Sequence, residues 1–139
     1  MNPTPTRQPC VLVVEDNLPV RMMLQRALER IGCRVVSENN GKDGIRRARK
    51  VAPDLILMDM RLPGLDGPEV LDKLRRTRGL EAIPVVGISG YAHPEMKAQA
   101  FDRGCVAFLE KPLDLAQLHQ TVIEILGFDP TPVSPAGNG

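Results

Sequence analysis

The sequence predicts an α/β fold, a doubly wound five-stranded parallel sheet with helices on both faces. Three observations carry that expectation. Five short runs, at 10–14, 34–37, 55–58, 83–88 and 105–109, are apolar or β-branched and too short to be core helices. Between them lie segments with apolar residues at helical spacing, opened by Asp, Asn or Pro and closed by Gly or Pro. Strands that alternate with helices pair in parallel, and right-handed crossovers then wind them into one sheet covered on both sides.

Cys10-Val11-Leu12-Val13-Val14 reads as a buried strand, and Asp16 or Asn17 after it can cap a helix whose first turn accepts Pro19. Leu24, Ala27, Leu28 and Ile31 give that helix its apolar stripe, and Gly32 ends it. The second strand, at 34–37, is more polar and is expected near a sheet edge. Asn39-Asn40-Gly41 then turns the chain into a helix with Ile45, Ala48 and Val51 inward, stopped by Pro53. Its Arg46-Arg47-Ala48-Arg49-Lys50 run could be a docking patch, although such clusters are more often solvated helix faces.

Leu55 to Met58 form a strand apolar on both sides, and Asp59 follows where such a strand leaves the core. Pro63-Gly64 and Asp66-Gly67 shape the loop beyond, and Asp66 with Glu69 forms a capping-box pattern. That helix is expected to bury Val70, Leu71 and Leu74 and to close at Gly79. The fourth strand, at 83–88, tolerates Pro84 near its start. A short helix from Pro94 to Gly104 should bury Met96 and Ala100, with Phe101 a further candidate. The fifth strand is followed by Glu110-Lys111-Pro112. The last helix, capped by Asp114 with Gln117, is expected to bury Leu115, Leu118, Val122 and Ile125 and to end at Gly127.

Composition narrows the function. The chain of 139 residues is one domain by size, arranged as a flexible lead-in over 1–9, a domain over 10–127 and a disordered tail over 128–139. A formal charge of +1, no Trp, one Tyr and three Phe offer neither a basic field nor a stacking surface for nucleic acid. No apolar run approaches a membrane span, and the N-terminus lacks an apolar signal-peptide core. Cys10, Cys33 and Cys105 border apolar residues and form no CxxC pair, so they read as buried thiols of a reducing compartment. A soluble, cytoplasmic domain is expected.

The polar residues that follow the strands line up. Glu15 and Asp16 follow the first, Asp59 the third, Ser89 the fourth, and Lys111 lies just past the fifth. Parallel strands bring these ends to one edge, where ligands of open α/β sheets bind. Three carboxylates there leave negative charge in excess even beside Lys111, and a hard divalent cation such as Mg²⁺ would relieve it. A carboxylate beside Mg²⁺ and a lysine is also a setting for phosphoryl transfer, with Asp as the nucleophile.

Taken with Val-Glu-Asp-Asn at 14–17, Leu-Met-Asp-Met at 57–60, Leu-Pro-Gly-Leu-Asp-Gly at 62–67, Ile-Ser-Gly-Tyr at 88–91 and Phe-Leu-Glu-Lys-Pro at 108–112, the chain resembles the receiver domain of two-component response regulators over 10–127. The resemblance implies a flavodoxin-like sheet of order 2-1-3-4-5. It implies that Asp59 accepts a phosphoryl group from a sensor histidine kinase or a histidine phosphotransfer protein. The metal, Mg²⁺ or Mn²⁺, would be held by Asp16, Asp59 and the backbone carbonyl of Arg61, with Glu15 acting mainly through water. Ser89 and Lys111 would bind the phosphoryl group, and Phe108 would be the switch aromatic. Arg61 and Tyr91 would tune the lifetime. A cis Lys111-Pro112 bond is typical of the family. The chain would be a signalling phosphoacceptor and not an enzyme, with an unidentified downstream protein target and no nucleic-acid or membrane partner. A homodimer could form through the fourth helix, fifth strand and last helix.

The rival readings are distinguishable. A haloacid dehalogenase-type aspartyl-phosphate hydrolase would have a second acid two residues after the nucleophile, where this chain has Arg61. An FMN carrier of the flavodoxin type would have a Ser/Thr/Gly-rich loop where Glu15-Asp16-Asn17 stands. A pseudo-receiver that binds partners without phosphorylation would lack site residues, and all are present.

Overall fold

The structure, a computed structural model, describes residues 8–90 and 94–127. Most of the expected lead-in, the expected tail and Tyr91 lie outside the described residues. Strands and helices alternate as β1 (Cys10–Val14), α1 (Leu18–Arg30), β2 (Arg34–Glu38), α2 (Gly41–Val51), β3 (Leu55–Asp59), α3 (Gly67–Arg76), β4 (Val85–Ser89), α4 (Pro94–Asp102), β5 (Cys105–Glu110) and α5 (Leu115–Leu126). The five strands form one sheet in the order β2-β1-β3-β4-β5, and every pairing is parallel.

Alternation along the central strands divides the core in two. Val11, Val13, Leu55 and Leu57 face α1 and α5, where Leu24, Leu28, Leu118 and Val122 cover them. Leu12, Val14, Ile56 and Met58 face α2, α3 and α4, where Ala48, Leu71, Leu74 and Ala100 pack. The central strands β1, β3 and β4 are buried along their whole length, whereas β2 is partly exposed, as its polar sequence leads one to expect of an edge. Truncating a fully buried side chain in either layer, such as Leu28 or Leu71, would cost roughly 2–5 kcal/mol.

Local chemistry sets the helix ends. The Asn17 side chain accepts from the Val20 amide at 3.0 Å, with Pro19 in the first turn of α1. Asp66 and Glu69 make the reciprocal capping box of α3, with contacts of 3.0 and 3.2 Å. Asp114 caps α5 through the Ala116 and Gln117 amides.

Several expectations need correction. Leu115 is 43% exposed and not buried, because it opens α5 at the surface, one turn before the stripe of Leu118 and Val122 reaches the sheet. Phe101 is 47% exposed, since α4 turns only Ala100 fully into the core. α3 ends at Arg76, capped by Thr77, and Gly79, at φ +90°, serves the turn beyond it. β4 starts at Val85, because Pro84 has no N–H and joins the sheet only through its carbonyl, which accepts from Ile56 at 3.0 Å.

Candidate functional site

The helices that follow β1 and β3 pack on opposite faces, so a crevice opens between those strands at their C-terminal ends. Asp59 is the last residue of β3 and is 5% exposed. Its Oδ2 accepts from Lys111 Nζ at 3.0 Å, and its Oδ1 accepts from the Arg61 amide at 2.8 Å. Lys111 gets there because it directly follows β5, where its amide donates to the Ser89 carbonyl at 2.9 Å, and the Lys111-Pro112 peptide is cis.

Glu15 is fully buried at the end of β1. Its Oε2 accepts from the Asn17 amide at 3.0 Å, and its Oε1 lies 2.9 Å from Lys111 Nζ. That second contact is an ion pair by distance but not a well-directed hydrogen bond, so Oε1 is a buried oxygen with spare accepting capacity. Asp16, the next residue, is exposed at the rim. One carboxylate oxygen from each of Glu15, Asp16 and Asp59 lies within 4.8 Å of the others.

The electrostatics follow from this crowding. Burial pushes the Glu15 carboxyl above its ordinary range, and Asp59 adds to that, while Lys111 and the Asn17 amide pull it back. Burial alone would lower the Lys111 ammonium, but its close contacts with the carboxylates of Glu15 and Asp59 outweigh this and hold it above its ordinary value. The two directions agree once both neighbours are counted: the lysine gains two carboxylates, whereas Glu15 shares one lysine with a rival acid. Negative charge stays in excess. Three hard oxygen donors, one of them buried with capacity to spare, fit Mg²⁺ or Mn²⁺.

The other anticipated residues fall as follows. Ser89 is buried at the end of β4, one position beyond Ile88, which pairs with Asp59. Arg61 reaches the site through its amide, and its side chain is exposed. Phe108 pairs with Gly87 across β4 and β5, and a Cβ at Gly87 would stand 2.9 Å from the ring, so only glycine leaves this space. The Phe108 ring is partly buried, with Lys97 Nζ 5.6 Å from its centroid and Phe101 at 6.4 Å. Lys97 also pairs with Glu110 at 2.7 Å. The Lys97–Glu110 contact joins a helix to a strand, and no local spacing in the sequence announces it.

This arrangement defines a class: a flavodoxin-like sheet whose switch-point crevice gathers acids around one lysine. The chain belongs to the response regulator receiver domains of two-component signalling, whose family model matches residues 11–123. It is 32% identical over 117 residues to the polar-differentiation response regulator DivK of Brucella anthropi, covering 84% of this chain and 95% of DivK. It is 31% identical over 128 residues to the sensor protein GacS of Pseudomonas syringae, covering 90% of this chain but only 14% of GacS. Among solved structures, the receiver domain of the sensor histidine kinase PA1611 from Pseudomonas aeruginosa, which has magnesium coordinated in its active site cleft, superposes with a TM-score of 0.80 at 27% identity, covering 87% of this chain and 99% of that one. Among the described residues no helix is long and apolar enough to cross a membrane.

Proposed function

We propose that this receiver takes a phosphoryl group onto Asp59 from the phosphohistidine of a sensor histidine kinase or histidine phosphotransfer protein, and that phosphorylation reshapes a protein-binding face. The observation that carries this reading is the packing of Glu15, Asp16 and Asp59 beside Lys111. An Asp59 oxygen attacks phosphorus, the phosphorus–nitrogen bond breaks, and the departing imidazole keeps the electron pair. Both Asp59 oxygens accept one hydrogen bond each, which leaves lone pairs for attack. Lys111, anchored to Glu15, stays at hand to pair with the transferred group. Mg²⁺ or Mn²⁺, held by Asp16, Asp59 and the Arg61 carbonyl, with Glu15 reaching it through water, would supply neutralisation of the phosphoryl charge.

In this account Ser89 donates its hydroxyl to the phosphoryl group, and Phe108 turns toward the space this opens. The surface of α4, β5 and α5 would then distinguish the two states, for a downstream target or for a second copy of the domain. An output by protein contact is in keeping with the match along 95% of the response regulator DivK. Arg61 and Tyr91 set the lifetime, so Arg61→Asn with Tyr91→Glu should lose phosphate faster than the parent; faster loss in the parent would eliminate the shielding role. The primary test is transfer from a labelled phosphohistidine donor. Label should appear with Mg²⁺ and be absent from Asp59→Asn, and undiminished labelling of that variant would refute the assignment.

A further inference from the structure

We propose that the groove between α2 and the loop joining β3 to α3 docks an acidic segment of a partner protein, anchored by one or two apolar side chains. The groove is open to solvent and has a volume of about 790 Å³. Its apolar wall is Ile45 of α2 with Pro63 and Leu65 of the loop, and its cationic rim is Lys42, Arg46 and Arg49 of α2 with Lys73 of α3. Among the described residues no carboxylate lines it. This surface is separate from the face of α4, β5 and α5, and the proposal does not depend on phosphorylation.

The basic run of α2 is divided by the fold. Arg47 turns away and pairs with Glu38 at 2.8 Å. Arg46 meets Asp43 at 3.3 Å, with the Arg46 side chain largely exposed and that of Asp43 partly so, a contact of little worth in water. Lys42, Arg49 and Lys73 have no ion pair among the described residues. Four cations thus share one concavity in a chain of formal charge +1.

A merely solvated helix face would carry the cations without the apolar wall. Partly buried Ile45 and Leu65 supply that wall, and an apolar centre with a charged rim is the layout of a protein interface. The volume falls in the range of roughly 300–1,000 Å³ typical of binding pockets, enough for a Leu or Phe anchor. Lipid fits less well. Ala48 is buried and Ile45 only partly exposed, so α2 has no free apolar face to lay on a membrane. Among the described residues no aromatic side chain lines the groove for stacking bases.

The test titrates the ¹⁵N-labelled full chain with a short synthetic peptide carrying a Leu-Phe pair flanked by glutamates. A control peptide has glutamine in place of every glutamate, and phosphatidylglycerol vesicles form a third arm. The acidic peptide should shift the amides of Lys42, Ile45, Arg49 and Leu65, bind about tenfold more tightly than the control, and weaken as salt rises. Arg46→Glu with Arg49→Glu should weaken it at least about tenfold, and Arg49→Gln with Lys73→Gln should do so to a lesser degree. Both variants change exposed side chains, and their amide spectra report whether the fold persists. Equal binding of the two peptides, shifts centred elsewhere, preferential binding of vesicles, or self-association through these residues would each overturn the proposal.

Discussion

Replacing Lys111 by Met keeps the length of the side chain and removes its charge from between Glu15 and Asp59. The ammonium stands 2.9 Å from Glu15 and 3.0 Å from Asp59, and their side chains are 0% and 7% exposed. Stripping one partner from a buried pair costs about 3–5 kcal/mol, chiefly because the other charge is left uncompensated. Lys111 is itself 24% exposed, so water can partly take its place, and a loss of about 2–3 kcal/mol at neutral pH is expected. The pH dependence has a definite sign. The folded protein holds the Lys111 ammonium above its ordinary pKa of 10.5, so its contribution is complete below that pH and vanishes as pH rises through the higher folded value. At the acid end the folded state already binds a proton at Glu15 more tightly than the unfolded chain, so protonation should narrow the gap between variant and parent. Urea denaturation with chelator present measures it. A second arm adds Glu15→Gln, which should make the combined cost smaller than the sum of the single costs. A loss under about 0.5 kcal/mol, or strictly additive costs, would refute the argument that Lys111 neutralises these two acids.

Arg75 donates to the carbonyls of Glu81, Ile83, Arg103 and Gly104 at 2.9–3.1 Å, fastening α3 to the turns before β4 and β5; Arg75→Met should lose about 2–4 kcal/mol and speed amide exchange around 80–84 and 103–105, and unchanged exchange there would contradict it. Burial pushes the Cys33 thiol up to about 11 from 9.0, so the unfolded chain ionises first and stability should drop by roughly 2–3 kcal/mol between those pH values; a Cys33→Ala variant should show a shallower drop, and parallel curves would contradict it.

The gathering of Asp59, Glu15, Asp16, Ser89 and Lys111 at one edge was legible in the sequence because parallel strands necessarily end on the same side, and each of these residues follows an apolar run. The caps at Asn17, Asp66 and Asp114 were legible for a similar reason, since capping depends on neighbours a few residues away. What sequence could not show depends on how elements meet. The exposure of Leu115 depends on where α5 rises from the surface, and that of Phe101 on how α4 is rotated. The pairing of Lys97 with Glu110 and Phe108, and the reach of Arg75 to two separate turns, arise only once α4 and α3 lie against their strands. The basic run of α2 reads as uniform in sequence, yet the fold assigns Arg47 to Glu38 and leaves Arg46 and Arg49 on the groove.

If Asp59 is the group phosphorylated, the acid cluster around it should make the reaction depend on a divalent ion. The direct measurement is to incubate the protein with a small acyl phosphate, with Mg²⁺ or with chelator, then treat it with borohydride, which reduces an aspartyl phosphate to homoserine, and map the product by peptide mass spectrometry. Homoserine is expected at position 59 in the Mg²⁺ sample and intact Asp59 in the chelated one. Reduction at another carboxylate, or equal conversion with and without the metal ion, would contradict it.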